Sequence, residues 1–134
     1  MKNSFLNIIL SVAVVSVMFA SCKKDPGEGR NSSIYGKIYA KDYNGSFTVL
    51  NDQYYSPDED VYIIYGNDKS YSDRTRTGPD GTYEFKYLRT GKYTVYVYSK
   101  DSTLQTTSLI AKQMDVEISK KNEEFEVSDI VIFK

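Results

Sequence analysis

The chain has 134 residues, with 17 lysines and arginines against 18 aspartates and glutamates, one cysteine, no histidine and 13 tyrosines. This length suits one domain, and the near balance of charge argues against nucleic-acid binding, which normally comes with a clear basic excess. The absence of histidine excludes Ser-His and Cys-His nucleophile pairs and histidine-ligated metal centres, and most hydrolase chemistry with them.

The chain begins with an apolar segment. One charge, Lys2, precedes an uncharged run from Phe5 to Ala20. This run is shorter than the roughly 20 apolar residues that a membrane-spanning helix needs. We therefore interpret residues 1–21 as a signal peptide, with a retained membrane anchor as the alternative.

The apolar run ends in Phe-Ala-Ser-Cys at residues 19–22. This resembles the lipobox of bacterial lipoproteins, in which small residues precede a cysteine that becomes the lipidated first residue of the mature chain. The resemblance implies lipidation of Cys22, and more than one acyl chain is what stable anchoring requires. Because Lys23 follows where an inner-membrane signal would place Asp, it also implies sorting to the outer membrane, periplasmic or surface-exposed. The alternative for Cys22 is an ordinary free thiol.

Residues 22–32 combine Gly, Pro, Ser and mixed charges without apolar periodicity. Such a composition predicts a flexible tether that joins the lipidated cysteine to a domain covering residues 33–134.

From Ile34 onward apolar and polar residues alternate with a period of two, as a strand with one buried face requires. Further runs of strand type are separated by turns rich in Gly, Asn, Asp and Pro. They are Val61–Tyr65, Ser70–Thr75, Thr82–Tyr87, Lys92–Ser99, Gln113–Ser119 and Glu124–Phe133. Seven short antiparallel strands in about 100 residues predict an all-β, two-sheet sandwich.

The most specific pattern follows the turn sequence Pro79-Asp80-Gly81, which predicts a hairpin between the strands on either side. A second hairpin is expected from Asp80 to Val97. Its inward residues would be Tyr83, Phe85, Leu88, Tyr93, Val95 and Val97, with a turn at Gly91. Together with Ile34-x-Gly36-x-Ile38 and Val61-x-Ile63, this pattern resembles the carboxypeptidase regulatory-like domain and the Cna B-type modules. The resemblance implies a transthyretin-like (prealbumin-like) sandwich.

Members of these families act mostly as accessory, stalk or binding modules. The resemblance therefore implies a non-catalytic binding, adhesion or accessory protein in the cell envelope, and no enzyme. One alternative is a fimbrial or assembly subunit that polymerises by strand donation. An alternative of a different class is a carboxylate-only enzyme acting on glycans, which needs two acids converging in a cleft.

Tyrosine is the unusual feature of the composition, and all 13 copies follow Cys22. If the alternating Ile and Val residues face the core, five tyrosines face outward. These are Tyr35, Tyr39, Tyr62, Tyr96 and Tyr98. A flat apolar ring with a hydroxyl suits protein interfaces and the faces of sugar rings, so these residues are predicted to form a binding surface for a protein or glycan. The alternative is that the rings merely cover the sheets.

The segment from Asp42 to Asp60 is longer than its counterpart in those families, and it is either an extra strand or a binding loop. Its carboxylates suit calcium, which takes six to eight oxygen ligands. The candidate ligands are Asp52, Asp58, Glu59 and Asp60, and a solvated acidic loop is the alternative. The sequence predicts no other cofactor.

Overall fold

The structure is a computed structural model that describes residues 25–103 and 106–134. The predicted signal peptide and Cys22 lie outside the described residues. Within the described ranges, no helix is long and apolar enough to cross a membrane.

The described residues form strands grouped in two sheets, so the predicted all-β, two-sheet class is confirmed. The strands are β1 (Glu28–Tyr43), β2 (Leu50–Tyr55), β3 (Asp60–Tyr65), β4 (Asp73–Arg76), β5 (Thr82–Leu88), β6 (Gly91–Asp101), β7 (Thr106–Ile118), β8 (Glu124–Glu126) and β9 (Ile130–Phe133). Nine strands replace the predicted seven for two reasons. The long segment after Asp42 contains β2, and the last predicted strand is divided into β8 and β9.

β1 is the central strand of the five-stranded sheet. β5 pairs with its first part and β2 with its last part, both antiparallel. β8 and β9 pair with β1 in parallel, which departs from the predicted antiparallel arrangement. β7 ends at Ile118, which lies opposite Gly91 at the start of β6. The chain therefore enters β8 at the end of the sandwich where β1 also starts, and β8 runs in the same direction as β1.

The four-stranded sheet has the order β4-β3-β6-β7, and all its neighbours are antiparallel. The hydrophobic core lies between the two sheets. It consists of the alternate residues of both, including Ile34 and Ile38 from β1, Ile63 from β3 and Val95 from β6, none of which is exposed. Burying one such side chain contributes about 1.5–3 kcal/mol.

Neither predicted hairpin forms. β4 pairs only with β3, and β5 pairs only with β1, so the turn at residues 77–81 carries the chain from one sheet to the other. The turn itself is confirmed, since Gly81 N donates to Gly78 O at 2.9 Å. Thr77 explains the change of sheet, because its buried hydroxyl donates to Ser56 O at 2.7 Å and its N donates to Glu59 O. These bonds attach the segment to the connection between β2 and β3.

The chain also changes sheet between β5 and β6, yet all six apolar residues predicted to face inward are buried. The spacing from Phe85 to Leu88 is three residues, which a regular strand cannot accommodate on one face. A bulge at Tyr87 solves this, since Ile34 pairs with Phe85 but Ser32 pairs with Leu88. Tyr87 has φ 61° and is 65% exposed, so the extra residue points outward and Leu88 returns to the core.

β1 begins at Glu28, inside the segment 22–32 predicted as a tether. Its first part pairs irregularly with β5, with register shifts between Glu28 and Ser32 and between Ser32 and Ile34. An irregular strand of this kind leaves no alternation in the sequence, which explains why composition alone indicated a linker.

Candidate functional site

Four tyrosine rings meet on the outer face of the four-stranded sheet. Tyr62 on β3 and Tyr96 on β6 are directly paired, and their rings are stacked with centroids 5.0 Å apart. Tyr98 stands edge-on to both at 5.7 Å. Tyr71, which precedes β4, stands edge-on to Tyr62 at 5.2 Å. We call Tyr62, Tyr71, Tyr96 and Tyr98 the ring cluster.

The register between β3 and β6 produces this cluster. Val61 pairs with Val97 on the core side, so the next pair, Tyr62 with Tyr96, faces outward. Each aromatic pair of this kind contributes about 0.5–1.5 kcal/mol beyond its buried area. The rings therefore hold one another in place before any ligand arrives.

The ring cluster is accessible to solvent. Tyr71 is 53% exposed and Tyr98 is 46% exposed, whereas Tyr62 and Tyr96 are half-buried. Partial burial raises the pKa of Tyr96, and the neighbouring Tyr98 raises it further. The Tyr96 hydroxyl is therefore protonated at neutral pH and can donate as well as accept hydrogen bonds.

Fixed polar groups border the ring cluster on both sides. Towards β4, Arg76 Nε donates to Asp60 Oδ1 at 3.0 Å, and Arg74 Nη1 lies 3.9 Å from Asp60 Oδ2. The bond to Asp60 raises the pKa of Arg76. Towards β7, Thr94 Oγ1 donates to Asp115 Oδ1 at 2.7 Å.

A cavity of about 340 Å³ adjoins the ring cluster at the end where β6 finishes. Tyr62 and Tyr98 belong to its wall, together with Lys100 and Lys134. Its acidic side is formed by Asp58, Glu59 and Asp60. Rings and cavity thus form one continuous surface with an apolar centre and a charged end.

The four predicted calcium ligands are divided between strands and a turn. Asp52 is exposed on β2, where it pairs with Asp42, and Asp58 lies in the turn before β3 with φ 56°. Glu59 is ion-paired with Lys134 and accepts a hydrogen bond from Ser56 Oγ at 2.9 Å. In residues 25–103 and 106–134, no group of three or more acidic, cysteine or histidine side chains is placed to hold a metal ion. Two of the four candidates, Glu59 and Asp60, already have cationic partners.

The predicted tyrosine surface is divided between two faces of the molecule. None of its five members is fully buried, but only Tyr62, Tyr96 and Tyr98 come together. Tyr35 and Tyr39 lie on β1, on the outer face of the other sheet. The same residue type therefore faces two different environments.

On that other face the tyrosines have local partners. Tyr35 pairs with Glu84 on one side and Glu126 on the other, and the negative charge of Glu126 raises the pKa of its hydroxyl. Tyr39 meets Tyr55 edge-on at 5.2 Å. Tyr55 in turn lies under the Lys37 ammonium, 4.8 Å from the ring centroid, and donates its hydroxyl to Asp129. The Tyr39–Tyr55 pair therefore joins two rings, whereas the ring cluster joins four.

Tyr71 is the member of the ring cluster that sequence patterning missed. Alternation counted back from Thr75, which pairs with Val61, would place Tyr71 on the core side. The strand begins only at Asp73, and Ser72 directs the loop before it. Ser72 N donates to Ile63 O at 2.8 Å and its Oγ donates to Asp68 Oδ2 at 2.8 Å. These bonds turn Tyr71 outward onto Tyr62, and no local sequence signal announces them.

No protein-family model matches the chain, and no curated protein matches it either. The resemblance to carboxypeptidase regulatory-like and Cna B-type modules therefore stays a prediction. Among solved structures, a protein from Pseudomonas aeruginosa described as a "putative carbohydrate binding protein" is 13% identical in sequence, with a TM-score of 0.42. The match covers 85% of this chain and 93% of that one. At this distance the likeness does not bear on what this chain binds.

Proposed function

We propose that this protein is a non-catalytic binding module that takes a glycan on the ring cluster and is anchored to the outer membrane through Cys22. The observation that supports binding is the gathering of four tyrosine rings on one outer face, two of them about half exposed. These rings lie outside the hydrophobic core, and exposed patches of large rings mark binding surfaces.

The border of the ring cluster favours a glycan. One face of a sugar ring presents C–H groups that pack on a flat aromatic side chain, while its edge carries hydroxyl groups. Asp60 and Asp115 hold acceptor oxygens beside the rings, and Arg74 and Arg76 hold donors. An apolar platform with a few oriented polar groups is typical of small-molecule and sugar sites.

Two of the three acids in the adjoining cavity already have cationic partners, which supports a role without catalysis. A glycosidase needs one acid to protonate the leaving group and a second carboxylate across a cleft. Here Glu59 is ion-paired with Lys134, and Asp60 is engaged by Arg76 and Arg74. Both carboxylates are therefore held by cationic side chains of the protein itself.

Glycan binding is tested with the full chain on an array of neutral and acidic oligosaccharides. We expect at least one glycan to bind the native chain and to lose binding when Tyr62 and Tyr96 are both changed to Ala. The matched control changes Tyr35 and Tyr39 to Ala, which removes the same number of rings from the other sheet. If the Tyr62/Tyr96 variant binds as the native chain does, or no glycan binds, the proposal is wrong.

The anchor is tested separately. Lipidation of Cys22 adds acyl chains that make membrane attachment stable, so Cys22→Ser is expected to release the protein into the soluble fraction. Mass spectrometry of the native protein should find acyl chains on Cys22. Membrane retention of the Cys22→Ser variant would contradict the anchor and leave the ring cluster unaffected.

A further inference from the structure

One end of the sandwich holds the first described residues in a fixed position. Gly27 N donates to the Tyr93 hydroxyl at 3.1 Å, and this hydroxyl donates to Arg89 O at 2.8 Å. Arg89 N in turn donates to Gly27 O at 2.8 Å. Gly27 and Tyr93 are buried, so the bond between them is shielded from water and cannot be exchanged cheaply for a bond to solvent.

Pro26 is fitted against two glycines next to these bonds. A Cβ on Gly91 would lie 2.6 Å from Pro26 Cγ, and a Cβ on Gly66 would lie 3.3 Å from the same atom. Gly91 has φ 150° and Gly66 has φ 58°, both unfavourable for other residues. We call the site formed by Gly66, Arg89, Gly91 and Tyr93 the N-terminal socket.

The socket leaves little chain between the sandwich and the proposed anchor. Cys22 precedes Asp25 by three residues, and consecutive Cα atoms are 3.8 Å apart, so the two Cα atoms can be at most about 11 Å from each other. The predicted tether of residues 22–32 would have allowed several times that reach. A lipid on Cys22 therefore keeps the socket end close to the bilayer.

The ring cluster lies further along the strands, away from the socket. β6 starts at Gly91 in the socket, and a rise of 3.3 Å per residue places Tyr98 about 23 Å further along it. Gln53 on β2 pairs with Lys41, which is about 30 Å along β1 from Ser32, the partner of Leu88 next to the socket. The cavity beside Tyr98 contains Lys134, whose N bonds to Lys41 O, so it also lies far from the socket.

We propose that the N-terminal socket stands on the membrane surface, with the strands upright and the ring cluster about 13–23 Å above the lipids. This inference rests on the proposed lipidation of Cys22. It also narrows the class of ligand. The ring cluster takes a glycan that extends beyond the lipid headgroup layer, because sugars confined to that layer lie below it.

Orientation is measured by energy transfer from a donor dye to acceptor-labelled headgroups in phosphatidylcholine vesicles that contain the lipidated full chain. Cys22 is the one native cysteine, so a cysteine introduced elsewhere is the one free thiol for the dye. The two positions are Asn67→Cys, in the loop next to Gly66, and Gln53→Cys, on β2; both side chains are exposed. We expect transfer from position 67 to be at least about twice that from position 53. Equal transfer from both would overturn the proposal.

Two controls identify the cause of the orientation. A flexible insert of about ten Gly and Ser residues between Lys24 and Asp25 should bring the two transfer values together, because the reach grows. Tyr93→Phe keeps the ring and removes only the hydroxyl that bonds to Gly27 and Arg89. It should also bring the two transfer values closer together. If the ratio survives the insert, the short reach does not set the orientation and the proposal fails.

A failure of the proposed orientation can be distinguished from a failure of the proposed function. Tyr96→Ala is expected to weaken glycan binding by about 30-fold and to leave the transfer ratio unchanged. If mass spectrometry finds no acyl groups on Cys22 of the native chain, the lipidation on which the orientation rests is refuted. A lipidated chain with equal transfer refutes the orientation alone.

Discussion

The outer faces of the two sheets carry the same residue type and differ in what they build with it. On the four-stranded sheet, Tyr62 and Tyr96 are cross-strand partners, and Tyr98 and Tyr71 extend the pair. On the five-stranded sheet, Tyr35 pairs with two glutamates, and Tyr39 meets a single further ring, Tyr55. Alternation places tyrosines outside in both sheets, but only strand register decides whether they join into one surface.

The first prediction tests this difference by ligand binding. Tyr96→Ala removes the ring stacked on Tyr62 and should weaken binding of the best array glycan by about 30-fold, the effect of losing a central aromatic contact worth about 2 kcal/mol. Tyr39→Ala should change affinity less than about twofold. Isothermal titration calorimetry on both variants measures the contrast. Equal losses in the two variants would show that the ring cluster has no special role.

The second prediction compares one core tyrosine from each sheet. Tyr93 bonds to Gly27 and Arg89, whereas the buried Tyr83 hydroxyl has no hydrogen-bond partner among the described residues. Tyr93→Phe should lower the free energy of unfolding by about 1–3 kcal/mol because it leaves buried backbone groups unpaired. Tyr83→Phe should raise it by about 1 kcal/mol because it removes an unpaired polar atom. Urea denaturation of both variants gives the two values, and a loss at Tyr83 would contradict the assignment.

The third prediction contrasts two exposed tyrosines. Tyr87 occupies the bulge with φ 61°, a region that costs a non-glycine residue about 1–2 kcal/mol. Tyr87→Gly should therefore raise the free energy of unfolding by about 0.5–1 kcal/mol. Tyr98→Gly, in a regular strand, should lower it by at least about 0.5–1 kcal/mol, since glycine weakens strands and the ring contacts are lost. Thermal unfolding of the two variants should shift in opposite directions.

The fourth prediction concerns pH and has the smallest effect. A negative charge near a tyrosine disfavours the phenolate, so Glu126 raises the pKa of Tyr35. Glu126→Gln removes that charge and should lower the pKa of Tyr35 towards its usual value. The pKa of Tyr96 is raised mainly by burial and should not change. Titration of ring carbons by NMR between pH 8 and about 12 measures both, and a shift at Tyr96 would contradict the separation of the two faces.

Sequence patterning predicted the sheets better than their connections. Alternation identified the buried faces correctly, down to Leu88, whose spacing from Phe85 depends on the bulge at Tyr87. It could not predict that β4 and β5 belong to different sheets, because the bonds made by Thr77 to Ser56 and Glu59 join residues far apart in the chain.

The same limit applies to the site. The exposed sides of Tyr62, Tyr96 and Tyr98 follow from alternation, which is a local property. That Tyr35 is not part of the ring cluster follows from the pairing of strands, and that Tyr71 is part of it follows from the bonds of Ser72. Both depend on contacts between separate segments, which one sequence does not reveal.

The most direct test of the account is the response of the tyrosine rings themselves to a bound glycan. NMR spectra of the full chain with ¹³C-labelled tyrosine rings, titrated with the best array glycan, report on every tyrosine at once. We expect the signals of Tyr62, Tyr71, Tyr96 and Tyr98 to shift together, while those of Tyr35, Tyr39 and Tyr55 stay in place. Shifts confined to the second group would contradict glycan binding at the ring cluster.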